Sequence, residues 1–71
     1  MIEINIRQQD EFIKLGQALK KAGLVDSGLE AKLVIQDGKV TVDGMVEVQR
    51  GKKLHGGEIV SYNGEQIKIV R

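Results

Sequence analysis

Ile2, Ile4 and Ile6 alternate with polar residues, the period of a strand with one buried face. Leu15, Ala18, Leu19 and Ala22 then recur at the spacing of a single apolar helical stripe. This first helix lies within Asp10–Ala22. Asp10 could cap its start. Gly23 ends it, behind Lys20 and Lys21, whose charges favour the negative helix end. A second helix is predicted from about Ser27 to Asp37. Ser27 followed by Glu30 at the N3 spacing forms a capping box, and Gly38 closes the helix. Ala31, Val34 and Ile35 share its core face. Leu29 and Leu33 point almost the opposite way, a second apolar stripe that a simple amphipathic helix does not need.

The remainder predicts strands. Val40, Val42, Val46 and Val48 flank Asp43-Gly44. A two-residue loop would put Val40 and Val46 on opposite faces. The loop Val42-Asp43-Gly44, with Gly44 left-handed, would put them on one face, and this reading is favoured because it buries both. Further on, Ile59–Tyr62 and Gln66–Val70 flank Asn63-Gly64, a type I′ signal that pairs Val60 with Ile67. The fold class is therefore α+β: two short helices packed on a small, mostly antiparallel sheet of four to five strands. With no proline, linker or internal repeat, residues 1–71 read as a single domain.

A chain of 71 residues supports one small core and no deep catalytic cavity. It has no cysteine, hence no disulfide, no thiolate nucleophile and no cysteine-based zinc site, and a reducing cytoplasm fits. The opening residues lack a basic stretch and a long apolar run, so neither a signal peptide nor a membrane span is expected. His55 is the only histidine, which leaves no conventional metal site. Ser27 and Ser61 have structural explanations as a cap and a strand residue. Gly51-Lys52-Lys53 lacks the upstream glycine and following hydroxyl of a P-loop. Catalysis, a metal and a cofactor are accordingly not expected.

Net charge is +1, which argues against a general polycationic coat. Between Gln49 and Gly57, however, stand Arg50, Lys52, Lys53 and His55 with no acid. A local field of this kind can engage phosphates without a high total charge. Lys14 and Lys21 share one side of the first helix, next to Gln17, whereas Lys20 points elsewhere. Lys32 and Lys39 extend the candidate surface into the hairpin. Ser27 carries a second reading, since a helix start gathers free N–H groups and a favourable dipole. Aromatic stacking is poorly supported: Phe12 reads as core and Tyr62 as a core-edge residue, so structured RNA is a better match than single strands.

Leu15, Leu19, Gly23, Ser27, Ala31, Val34–Ile35, Gly38, Val40, Val42, Asp43-Gly44, Val48, the run Arg50-Gly51-Lys52-Lys53 and Gly57-Glu58 follow one another in an order that resembles the S4 RNA-binding domain. The small stand-alone bacterial branch of that family is the most similar. The resemblance spans residues 12 to 60. It implies that Phe12–Lys14 is extended and that the first helix begins near Leu15. It also implies an RNA-binding face built from Lys14, Lys21, Ser27, Lys32, Lys39, Arg50, Lys52 and Lys53. The expected partner is structured RNA, foremost ribosomal RNA with a part in ribosome assembly or translation, and tRNA second. Proteins of the ribosomal particle are further candidates, and the chain is expected to be monomeric. Three positions depart from the family pattern: Gly28 replaces an arginine after Ser27, Gly16 an often acidic residue, and Asp43 the usual turn asparagine. A rival reading is a protein-interaction adaptor. Leu29 and Leu33 either cover Leu24 and Val25 in the inter-helix loop or form an exposed doublet for a partner.

Overall fold

The computed structural model describes residues 1–71. In chain order the elements are β1 (Ile2–Asn5), β2 (Ile13–Lys14), α1 (Leu15–Lys21), α2 (Gly28–Gln36), β3 (Val40–Val42), β4 (Met45–Val46), β5 (Lys53–Leu54), β6 (Ile59–Tyr62) and β7 (Glu65–Val70). The main sheet has five strands in the order β1-β7-β6-β3-β4, and β2 and β5 make a separate two-stranded ribbon. Only β1 and β7 run parallel; every other pairing is antiparallel. The fold is thus α+β, as the pattern predicts.

One apolar row crosses four strands. Val42 faces Val60, Val60 faces Ile67, and Ile67 faces Ile2. The Val60–Ile67 pairing follows from the Asn63-Gly64 turn, where both residues take the positive φ that a type I′ turn requires. The helices lay Leu15, Ala18, Leu19, Ala31 and Ile35 on this sheet, each at most 1% exposed. No polar or charged side chain is buried, so whatever chemistry the chain has lies on its surface.

Helix α1 begins at Leu15, the later of the two starts. The cause is long-range: Ile13 and Lys14 are held extended by pairing with Leu54 and Lys53. Helix α2 starts on Ser27, whose Oγ accepts a hydrogen bond from the Glu30 N–H at 3.1 Å. The Glu30 carboxylate accepts from the N–H of Asp26 at 2.7 Å rather than from that of Ser27, so the reciprocal half of the box is shifted by one residue.

Two expectations are corrected and one alternative is decided. The first hairpin has a two-residue loop, with Thr41 facing Val46 and Val42 facing Met45. Asp43 and Gly44 both adopt positive φ, and Asp43 Oδ1 accepts from the Ile59 N–H at 2.9 Å. Turn chemistry thus prevails over hydrophobic burial: Val40 is in the core and Val46 is 60% exposed on an edge strand. Phe12 is not core, because the strand it precedes belongs to the outer ribbon; it is half-buried beside His55. Of the two readings of Leu29 and Leu33, the structure favours the exposed doublet: they are 65% and 57% exposed.

A candidate nucleic-acid interface

The loop carrying Arg50, Lys52 and Lys53 is tied to the start of α1. The first backbone N–H groups of a helix have no partner within it. Here the loop supplies one for two of them: Leu15 N–H donates to the Lys52 carbonyl at 2.9 Å, and Gly16 N–H to that of Arg50 at 3.0 Å. A turn closed by the Lys52 N–H and the Gln49 carbonyl, 3.1 Å apart, shapes the loop between strands β4 and β5. The β2–β5 ribbon then sets Lys14 directly opposite Lys53. Cations far apart in sequence are therefore gathered on backbone that the fold holds in place.

Gly16 lies where loop and helices meet. A Cβ built there would lie 3.1 Å from Arg50 Cγ and 3.7 Å from Ala31 Cβ, so loop, α1 and α2 converge on this residue. With glycine at this position, α1 sets no carboxylate against Arg50 there. Lys14, Arg50, Lys52 and Lys53 are all exposed, and the two ion pairs of the molecule, Arg7–Asp10 and Lys39–Asp37, involve none of them. Their charge is not compensated by any direct ion pair.

The other predicted residues are arranged less uniformly. Ser27 lies one turn before Ala31, and its hydroxyl is engaged by the cap. Lys32 is half-buried next to Ala31. Lys21 is exposed two turns along α1 from Lys14 and donates to the Asn5 carbonyl at 3.2 Å. Lys39 stands beyond the far end of α2, with its ammonium 3.5 Å from the Asp37 carboxylate.

Beyond the loop, Glu58 organises the glycine pair that follows His55. Its carboxylate accepts from the N–H groups of His55 and Gly56, both at 2.8 Å. Burial pushes its pKa upward. The backbone N–H groups of His55, Glu58 and Gly56, together with the His55 charge, outweigh this and hold the carboxyl below its ordinary value of 4.5.

Sequence reasoning missed Arg7, Lys20 and the role of Phe12. Lys20 does not point away from Lys21: both line one groove, with Arg7 and Phe12. Lys53 Nζ lies 4.9 Å above the Phe12 ring, which joins this groove to the loop cluster. The signal that could have found it is the period itself: Gln17, Lys20 and Lys21 are the polar remainder of α1 once its apolar stripe is subtracted. No three His, Cys, Asp or Glu side chains are gathered as a metal site requires, and no helix is long and apolar enough to cross a membrane.

Two short helices on a small sheet, presenting unpaired cations on a pinned loop and no buried polar group, define a surface-binding module. The S4 domain family matches residues 4–70, and the chain belongs to it. YbcJ of Escherichia coli K12 is 38% identical over 58 residues, 82% of this chain and 83% of YbcJ. The solution structure of YbcJ, described as revealing an αL motif involved in RNA-binding, has a TM-score of 0.74 at 32% identity and covers 100% of this chain and 89% of that one. RlbA of Bacillus subtilis 168, a protein named for ribosome maturation, is 39% identical over 54 residues, 76% of each chain. A tyrosine–tRNA ligase of Burkholderia lata is 41% identical over 54 residues, 76% of this chain and 13% of the ligase, so the likeness is to one segment of that enzyme.

Proposed function

We propose that this chain binds structured RNA through the face formed by Arg50, Lys52, Lys53 and Lys14, flanked by Lys21, Lys32 and the Ser27 helix start. The observation that carries the reading is the pinning of the loop: its two carbonyls accept from Leu15 and Gly16, and its cations have no acidic partner. Arg50 can take a phosphate bidentately, and the lysines act as point charges along the backbone. Family membership and the αL motif described for YbcJ support the same reading. The RNA is ribosomal, with a part in ribosome assembly or translation, a reading supported by the likeness to RlbA. The likeness to a tyrosine–tRNA ligase segment makes tRNA the second candidate. Lys39, already paired with Asp37, contributes least. The function is binding, without turnover.

The test is crosslinking in cells, followed by sequencing of attached RNA, for the wild type and an Arg50→Ala/Lys52→Ala/Lys53→Ala variant. One ribosomal RNA region enriched in the wild type and lost in the variant is the expected result. No RNA above background would remove the reading.

The exposure of Leu29 and Leu33 favours a second reading, a protein-interaction adaptor. Replacing both by serine separates the two. The adaptor reading expects a lost partner protein at unchanged RNA affinity; the RNA reading expects neither to change.

A further inference from the structure

A groove of about 500 Å3 runs between the outer side of α1 and the segment that follows β1. Its volume falls in the range of about 300–1,000 Å3 typical of sites for small organic groups. Three cations, Arg7, Lys20 and Lys21, face one acid, Asp10, which Arg7 Nε already engages at 3.0 Å. Lys20 has no ion-pair partner. The apolar part of the wall includes Phe12. Phe12 is half-buried and outside the hydrophobic core, with Lys53 above its ring and His55 tilted against it at 6.1 Å. The segment before it is fixed: the Arg71 guanidinium donates to the carbonyls of Glu11 at 2.6 Å and Asp10 at 2.9 Å. The side-chain amide of Gln17 accepts from the Lys14 N–H at 3.2 Å, which orients it at the groove wall.

An unpaired nucleotide needs an aromatic or apolar surface for the base and cations for its phosphate. The groove offers both within one recess, and Lys53 joins it to the loop cluster. We propose that it takes one extruded nucleotide of the bound RNA, the base against Phe12 and the phosphate on Lys20 and Lys21. This rests on the RNA-binding reading and narrows it: the target is a helix interrupted by an unpaired base.

The probes are a blunt RNA duplex and the same duplex with one bulged adenosine, each end-labelled for fluorescence anisotropy. The full chain is compared with Phe12→Leu, which keeps apolar bulk without the ring, and with Lys20→Ala/Lys21→Ala. Base–aromatic stacking gives the expected scale, a preference of roughly tenfold for the bulged duplex. Phe12→Leu should abolish the preference, read as the ratio of the two affinities, because any loss passed on through Lys53, which lies over the ring, falls on both duplexes alike, and the lysine variant should reduce it. The chain contains no tryptophan, so Phe12→Trp supplies a single tryptophan, excited selectively over Tyr62, whose fluorescence the bulged duplex should quench and the blunt one should not. Equal affinity of the wild type for both duplexes, or a preference that survives Phe12→Leu, overturns the proposal and leaves the loop-cluster reading standing. Absence of binding to either duplex overturns both.

Discussion

The Gly16 N–H donates to the Arg50 carbonyl at 3.0 Å, and a Cβ on Gly16 would meet the Arg50 side chain at 3.1 Å. The two residues are locked by backbone and crowded by side chain at once. Gly16→Ala therefore has opposite effects on stability and binding. Alanine is favoured over glycine in a helix, by up to about 1 kcal/mol in the interior and by less at Gly16, the second residue of α1. The only tight neighbour is an exposed, flexible side-chain atom, which can swing away at little cost. Thermal unfolding should show a stabilised variant. RNA affinity should fall toward that of Arg50→Ala, because the guanidinium is displaced. A variant that is both more stable and unchanged in binding would detach Arg50 from the interface.

Phosphate contacts release counterions, so log affinity should fall linearly with log salt, by about 0.7–0.9 per contact. Replacing Arg50, Lys52 and Lys53 by alanine should lower the slope by about 2–3. All three are exposed, so unfolding free energy should change by less than about 1 kcal/mol. Affinity that is flat from low to moderate salt in the wild type would contradict the electrostatic mechanism.

Ser27 separates capping from recognition. Ser27→Ala removes the acceptor of the Glu30 N–H and should cost about 1 kcal/mol in chemical denaturation. Ser27→Asp keeps an acceptor and adds a charge favourable to the helix dipole, so stability should hold. If the α2 start faces phosphate, that same charge should weaken RNA binding severalfold. Full affinity in Ser27→Asp would confine Ser27 to its cap.

Local chemistry was legible in the chain. The Ser27 cap, the Asn63-Gly64 turn and the acid-free run through Arg50 each depend on residues close in sequence. What sequence alone left open depends on partners far away. The ribbon pairing of Ile13 with Leu54 expels Phe12 from the core and gives Lys14 its place beside Lys53. The close approach at Gly16 exists only because that ribbon brings Arg50 over α1. The first hairpin departs from the pattern for a different reason: burying both valines favours the longer loop, but β4 is an edge strand on which Val46 stays 60% exposed.

Asp43 should therefore dominate the first hairpin. Its φ is 51°, and its Oδ1 accepts from the Ile59 N–H while its own N–H donates to the Ile59 carbonyl at 2.8 Å. Asp43→Ala loses the side-chain bond and forces alanine into the left-handed region, together about 2–3 kcal/mol. Asp43→Asn keeps an acceptor and suits the conformation, so it should cost under about 1 kcal/mol. Urea midpoints of the two variants should separate in that order. Equal midpoints would mean that the turn does not set the register of β4.

Glu58 gives the fold an acid-sensitive point. Its carboxylate receives the N–H groups of His55 and Gly56, and its pKa in the folded chain lies below the ordinary 4.5. A group with a depressed folded pKa contributes stability that is fully present above its unfolded value and is lost as pH falls through the folded one. The contribution should thus be complete near neutrality and fade below about pH 4.5. Glutamine at this position can accept with its carbonyl oxygen but not with its amide nitrogen, so one of the two N–H groups loses its partner at every pH. Glu58→Gln should be less stable than the wild type at pH 7, and the two stabilities should converge on acidification. Denaturant unfolding at stepped pH measures the gap. A gap that stays constant below pH 4.5 would show that the charge of Glu58, as distinct from its hydrogen bonds, contributes nothing to holding the loop.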